Sequence, residues 1–338
     1  MHMVTSRFPA AQWEMGPLGG DVDAEVVQAQ IADTIGEHEA TDITQAILVV
    51  HRGKVVAEAY GPDTDAATPL ISWSMAKSIT HALVGIAQMD GLLDVSKPAA
   101  VDAWKNDSRS QITLQHLLDM RSGLSWNEDY VDGDSSDVIE MLFGSGKDDV
   151  AAYAVSLPLT DQPDSKWLYS SGTTNIVTRI LGDAYGDTHG SSSGIERVLQ
   201  QRLFEQIGMQ ATARFDAAGT FIGSSYVFAT ARDYARFGYL YLQEGNWNGT
   251  QVLPAGWVDH ARVQTVIDDE TSLGYGAHWW TLPGEEDSLV ASGYEGQQIY
   301  VLPKRDLIIV RLGKTVAEKR GAVRASLLAI AQAFPLLQ

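Results

Sequence analysis

Ser74 and Lys77 stand three residues apart in Ser74-Met75-Ala76-Lys77, at the head of SMAKSITHALVGIAQMDG, whose apolar spacing predicts a helix ended by Gly91. Three residues is close to one helical turn, so the amine lies beside the hydroxyl, the relation that a serine nucleophile and its base require. Between Lys77 and Asp90 there is no Asp, Glu, Lys or Arg, so the helix is expected to be buried on most sides and Lys77 with it. Burial disfavours the ammonium form and lets a lysine serve as a base near neutral pH. Ser74 gains as well, because unsatisfied N–H groups at a helix start favour developing negative charge. The same residues also suit a serine that only caps the helix and a lysine that reaches solvent, and Ser-x-x-Lys alone does not separate the two.

Two further segments bear on the choice. Lys166-Trp167-Leu168-Tyr169-Ser170-Ser171-Gly172 lies in a helix-rich middle region, and Ser292-Gly293-Tyr294-Glu295-Gly296-Gln297 begins a strand-like run. With these three segments in this order, the chain resembles the superfamily of serine β-lactamases, penicillin-binding proteins and related esterases. That superfamily places Ser-x-x-Lys at the start of a central helix, Tyr-x-Asn or Tyr-x-Ser in a helical domain, and a glycine-containing triad on an edge-facing strand. The resemblance runs from His51-Arg52-Gly53-Lys54 through Ile112 to Leu118, Ser122-Gly123-Leu124 and Thr230-Ala231-Arg232-Asp233. It is similar above all to the branch of 6-aminohexanoate-dimer hydrolase and β-lactamase-like carboxylesterases, where phrases like Tyr169-Ser170-Ser171-Gly172, Gly223-Ser224-Ser225-Tyr226 and Glu295-Gly296-Gln297 recur.

The resemblance implies acyl transfer with Ser74 as nucleophile, Lys77 as its base and Tyr169 as the phenol that moves protons to the leaving group and from the deacylating water. It also implies an oxyanion hole from the backbone N–H groups of Ser74 and Gln297, with Gly296 allowing close backbone approach. Two departures bear on substrate. Ser171 stands where the penicillin-recognising pattern has Asn, and Tyr294-Glu295-Gly296 replaces Lys-Ser/Thr-Gly. A substrate carboxylate that would meet a cation in those relatives here meets a phenol and an acidic side chain. The expected reaction is therefore hydrolysis of small or short-chain carboxylic esters, with amide hydrolysis of the 6-aminohexanoate-oligomer type as the alternative. β-Lactamase or D-Ala carboxypeptidase activity ranks lower, as does a catalytically silent binding module.

Ser171, Tyr294, Glu295 and Gly296 are the expected substrate contacts, and Trp126, Tyr130 and Trp167 are candidates for an apolar acyl pocket. The acidic stretch from Glu128-Asp129 to Asp137 lacks the ligand spacing of a calcium loop and reads as a solvated loop. Gly190-Ser191-Ser192-Ser193-Gly194 matches Gly-x-Ser-x-Gly, yet no strand precedes it, so Ser192 is not expected to be a nucleophile. His38-Glu39 lacks the second histidine of a zinc motif, and Met141 stands where a phosphate loop ending at Lys147 needs glycine. No metal or other cofactor is expected.

The elements that must position these residues are legible in outline. Ala46 to Tyr60 reads as a β-hairpin around Gly53, and Gly274 to Pro283, Ser288 to Leu302 and Asp306 to Leu312 read as an antiparallel meander. Helical spacing dominates between them and recurs in Ala24 to His38 and Gly321 to Phe334. The expected fold is α+β and β-lactamase/transpeptidase-like: an antiparallel sheet flanked by helices, built from 1–90 and 219–338, with a mostly helical domain inserted at 91–218. A chain of 338 residues can bury a sizeable core. Its net charge of -19 repels nucleic acid and anionic lipid, and it has no cysteine for thiol chemistry. No apolar run of membrane-spanning length and no signal-like N-terminal stretch is evident, so the expectation is a cytoplasmic enzyme with a small-molecule partner.

Overall fold

In β1 (Asp42–His51) Ala46, Leu48 and Val50 enter one apolar core while Ile47 and Val49 enter another, the period-two division of a strand buried on both faces. β2 (Lys54–Tyr60) returns along β1, with Val50 opposite Val55 and Ala46 opposite Tyr60. From the far end of the chain come β3 (Leu289–Gly293), β4 (Gln297–Leu302) and β5 (Leu307–Lys314), consecutive antiparallel neighbours, and β5 lies along β1 with Ile309 opposite Val49. Short strands at Trp280–Thr281, Gly274–Tyr275 and Val266–Ile267 continue the sheet, and Gly36–His38 pairs with the start of β1. The result is a nine-stranded antiparallel sheet. It belongs to a computed structural model that describes residues 8–9, 11–130 and 136–337.

The terminal helices Ala24–Ala32 and Arg320–Gln332 cover one face, setting Val27, Val323, Leu327 and Ile330 against Ile47, Val49, Tyr300 and Ile309. The other face carries the larger core, to which α1 (Ala76–Met89), α2 (Ser171–Ala184) and α3 (Ala231–Leu242) contribute. Every residue of α1 from Ala76 to Ala87 is buried, so the absence of charge after Lys77 reflects packing on all sides. Asp90 and Gly91 end this helix, Gly91 at φ +71°. Shorter helices at Leu114–Leu118, Asp137–Phe143, Val150–Ser156 and Ser193–Arg197 surround α2, as their apolar spacing predicts. This is the β-lactamase/transpeptidase-like α+β fold expected from the motif order.

Two local expectations are corrected. Ala24 to His38 is not one helix: it stops at Ala32, and Gly36, at φ +83°, opens the strand Gly36–His38. The run from Ser288 to Leu302 is not one strand either. Glu295 at φ +61° and Gly296 at φ +80° reverse the chain between β3 and β4, so the triad Tyr294-Glu295-Gly296 occupies a turn instead of a strand. Of the acidic stretch 128–137, residues 131–135 lie outside the described residues, as do Met1, His2 and Met3. No helix among the described residues is long and apolar enough to cross a membrane.

Candidate active site

Ser74 sits in a single 3-10 turn, Trp73–Met75, that feeds directly into α1. Trp73 enters the turn at φ +44°, an unfavourable conformation for a bulky residue. The surroundings hold it there. The hydroxyl of Ser72 shares its one proton between the carbonyls of Trp73 and Ser225, both at 3.0 Å, and accepts from the Val227 N–H at 3.1 Å, while the indole of Trp73 donates to Oε2 of Glu295 at 3.1 Å. The turn is thus tied to the short strand Val227–Ala229 on one side and to the triad turn on the other, leaving Ser74 partly exposed.

One turn along α1, Lys77 is 2% exposed. Its Nζ lies 3.1 Å from Ser74 Oγ, 2.9 Å from Ser171 Oγ and 3.1 Å from the Ser224 carbonyl oxygen. Burial lowers its pKa from the ordinary lysine 10.5 to about 8, against the opposing pull of the Glu128 carboxylate. About a tenth of the lysine is therefore neutral at pH 7, and the share grows steeply above it. The ring of Tyr169 lies 4.9 Å from the same nitrogen. Burial and Glu128 push the Tyr169 phenol far above its ordinary value, and a hydrogen bond with Ser74 only partly offsets them, so the phenol holds its proton. Among Ser74, Lys77 and Tyr169, then, lysine is the group suited to accept a proton and tyrosine the one suited to donate it.

Ser170 places Tyr169 by capping α2, its hydroxyl accepting from the Thr173 N–H at 3.1 Å. Ser171, the first residue of that helix, is fully buried, and its hydroxyl lies between Lys77 and Glu128. The substrate contact expected of this hydroxyl is therefore corrected: it is committed within the protein. Glu128 is a second correction. It belongs to the stretch read as a solvated loop, yet its carboxylate accepts from the Ser171 hydroxyl at 2.6 Å, the Ser171 amide at 2.8 Å and the Trp126 indole. A lone Glu two residues past a Trp in a polar loop carried no sequence signal of that placement.

The third motif approaches from the sheet. Gly293, opposite Gln297 in the β3–β4 register, abuts the nucleophile turn so closely that a Cβ there would lie 2.4 Å from the Ser72 carbonyl oxygen and 3.2 Å from the Ser74 nitrogen. Only glycine permits that approach. Gln297 is buried, and its side chain spans to β5, donating to the Gly313 carbonyl at 2.6 Å and accepting from its N–H at 2.9 Å. The side chain thus fixes the strand whose first N–H is the oxyanion candidate. Arg311 holds the turn itself, and sequence reading missed it. A lone arginine inside the apolar run LIIVRLGK was the available signal.

Aromatic rings form the rest of the surroundings. Tyr130 stacks on Tyr294 with centroids 4.6 Å apart, and Tyr294 meets the Trp73 edge at 5.7 Å. Tyr226, from the segment that also gives the Ser224 carbonyl, lies 5.9 Å from Trp73. Trp167 contacts Tyr169, Tyr275 and Trp280 and leaves its indole N–H without a hydrogen-bond partner among the described residues. Trp126 does not fit the pocket expectation: it is 8% exposed and packs on Gly172, where a Cβ would lie 2.5 Å from its ring, so it supports α2 and Glu128. Ser192 begins a short helix without a side-chain capping bond. Among the described residues no cluster of His, Asp or Glu could hold a metal ion.

A hydroxyl beside a neutralisable buried amine and a proton-bearing phenol can attack a carbonyl, store the acyl group and release it to water. Comparison with known proteins agrees with that chemistry. The family model described as Beta-lactamase matches residues 37–333. The 6-aminohexanoate-dimer hydrolase of Paenarthrobacter ureafaciens is 26% identical over 331 residues, covering 91% of this chain and 81% of that protein. A Bacillus anthracis structure, provisionally titled a 6-aminohexanoate-dimer hydrolase, superposes with a TM-score of 0.79 at 23% identity, over 98% of this chain and 90% of that one. The octameric penicillin-binding protein homologue of Pyrococcus abyssi superposes with a TM-score of 0.67 at 14% identity, over 92% of this chain and 78% of that one. At these identities the superpositions speak for the fold.

Proposed function

The chain belongs to the Beta-lactamase family, and on that premise we propose that it hydrolyses amide bonds in small linear substrates of the 6-aminohexanoate-oligomer type, through an acyl-enzyme on Ser74. The observation that carries this reading is the amine of Lys77, buried, depressed to about pH 8 and 3.1 Å from Ser74 Oγ. Neutral Lys77 takes the hydroxyl proton as Ser74 Oγ bonds to the carbonyl carbon, and the backbone N–H groups of Ser74 and Gln297 receive the oxyanion. When the C–N bond breaks, Tyr169 gives its proton to the departing amine and is reprotonated from the Lys77 ammonium. Water then attacks the acyl ester by the reverse relay, releasing the acid and free Ser74.

An amine leaves only when protonated, which is why a phenol that keeps its proton supports amides here. Esters of the same acyl groups would pass through the same intermediate, and they ranked first on sequence. The order changes because the Paenarthrobacter relative, which covers most of the chain, is named for an amide substrate. Glu295, held beside the nucleophile turn by Trp73, supports a neutral or cationic substrate end over a carboxylate.

The test is side-by-side turnover of a linear 6-aminohexanoate dimer, p-nitrophenyl esters and a chromogenic cephalosporin, with Tyr169→Phe alongside. The proposal expects dimer and ester turnover, little cephalosporin turnover, and a loss in Tyr169→Phe of about 10²–10⁴-fold that is larger for the amide. Cephalosporin as the preferred substrate, or equal losses on amide and ester, would contradict it.

A further inference from the structure

Counting donors around Lys77 leads to Glu128. A carboxylate only accepts, so the 2.6 Å contact between Ser171 Oγ and Glu128 Oε1 uses the one proton of that hydroxyl. Toward Lys77, at 2.9 Å, Ser171 can then offer only a lone pair. The Ser224 carbonyl, 3.1 Å away on another side, is also only an acceptor. A neutral lysine has two N–H bonds and one lone pair. With both N–H bonds directed to Ser171 and Ser224, the lone pair is left facing Ser74.

We infer that Glu128 is a positioning residue: by fixing the direction of the Ser171 hydroxyl, it turns the lone pair of neutral Lys77 onto Ser74. The inference rests on the hydrolase reading above and adds to it a residue outside the three motifs. Without Glu128, the Ser171 hydroxyl can rotate and donate to the amine, occupying the lone pair that has to receive the Ser74 proton. Glu128 is itself oriented, since the Ser171 amide and the Trp126 indole both donate to Oε2. The ammonium fits the same site, with its third N–H on Ser74, so proton transfer requires no rearrangement.

Among the described residues, two other titratable groups face Lys77. Tyr169 presents its ring and keeps its proton, and His278 is depressed to about 3 by burial and stays neutral. Among the described residues Glu128 is thus the negative charge acting on the lysine, and its removal lowers the lysine pKa further.

Two readouts on the full chain test the inference. The first is the titration of Lys77 by NMR of lysine labelled at Cε, assigned with Lys77→Arg. Glu128→Gln is expected to move the midpoint down by about one unit, and an unchanged midpoint overturns the inference. The second is kcat for a p-nitrophenyl ester at a pH above the midpoint, in Glu128→Gln, Ser171→Ala and the double variant. Each single variant should lose about tenfold in kcat with little change in KM, and the double should be no worse than the worse single. Multiplying losses, or an unchanged kcat in Glu128→Gln, overturn it. A wild-type chain that neither turns over nor labels at Ser74 sinks the hydrolase reading instead, while the lysine midpoint still tests the Glu128 connection.

Discussion

Arg311, fully buried on β5, donates from Nη1 to the backbone carbonyl of Glu295 at 2.9 Å and to that of Gly296 at 3.0 Å. The rest of its fork is satisfied by Thr44, Thr315 and the Ile43 carbonyl. Burial pulls its pKa down to about 10, so the cation persists at neutral pH. The left-handed conformation of Glu295 is thereby locked from behind by a planar group whose donors match the carbonyls of one turn.

Arg311→Lys keeps the charge and loses the fork, leaving buried carbonyls unpaired. It should lower stability by about 2–4 kcal/mol and reduce kcat/KM, because the turn presents both Glu295 and the start of β4. Urea unfolding and ester turnover measure the two effects. Unchanged values would mean that the turn holds itself.

Lys77 gives a pH dependence of definite sign. The native lysine, near 8, releases its proton before the unfolded one, near 10.5, so between those values the unfolded chain binds more protons and stability rises with pH. Relative to Lys77→Met, wild-type stability should climb by about 2–3 kcal/mol across that window. Over the same titration, kcat/KM should rise through a limb near pH 8. Matched stability curves for the two proteins would show that Lys77 is not depressed.

Much of this arrangement was readable from sequence because it is local or periodic. Ser74 and Lys77 are one turn apart, and the unbroken β-rich apolar runs AILVV and LIIV mark strands. The unread parts join residues far apart in sequence through polar groups. Ser171 reaches Glu128 across 43 positions and Lys77 across 94, and nothing in an acidic loop tells a solvated carboxylate from one drawn inward. The triad turn was misread for a related reason: Ser288 to Leu302 is β-rich on both sides of the triad, and the reversal depends on the backbone of Glu295, which residue type does not announce.

Acid should unfold the protein earlier than its carboxylates alone would. Burial holds His81 well below 6.5 and takes His260 to about 4 and His278 to about 3. His81 bridges Tyr241 and His260, and His278 bridges Thr174 and the Leu118 carbonyl. Below pH 6.5 the unfolded chain takes up these protons and the native state does not, so stability falls by up to about 1.4 kcal/mol per pH unit for each buried histidine. Asp119, raised to about 6 by burial, acts in the opposite direction and offsets about one of them. Urea unfolding between pH 7 and 4.5 should show this decline, with a shallower slope in His278→Asn. A flat profile would contradict neutral burial.

Glu295 predicts charge selection. Glu295→Thr should raise kcat/KM for β-lactams, which carry a carboxylate near the scissile bond, relative to neutral esters, by about tenfold if one unfavourable pair of about 1.4 kcal/mol is removed, and added salt should shrink the difference. Taking the ratio within each variant cancels any change in active fraction. An unchanged ratio would mean that the carboxylate held by Trp73 does not face the substrate.

The most direct measurement is the intact mass of the protein after treatment with a fluorophosphonate or an acylating ester, followed by peptide mapping. The account predicts a single covalent adduct on Ser74, formed faster as pH rises through the titration of Lys77 and lost in Ser74→Ala. An adduct on another serine, Ser192 included, or no adduct with either reagent, would contradict it.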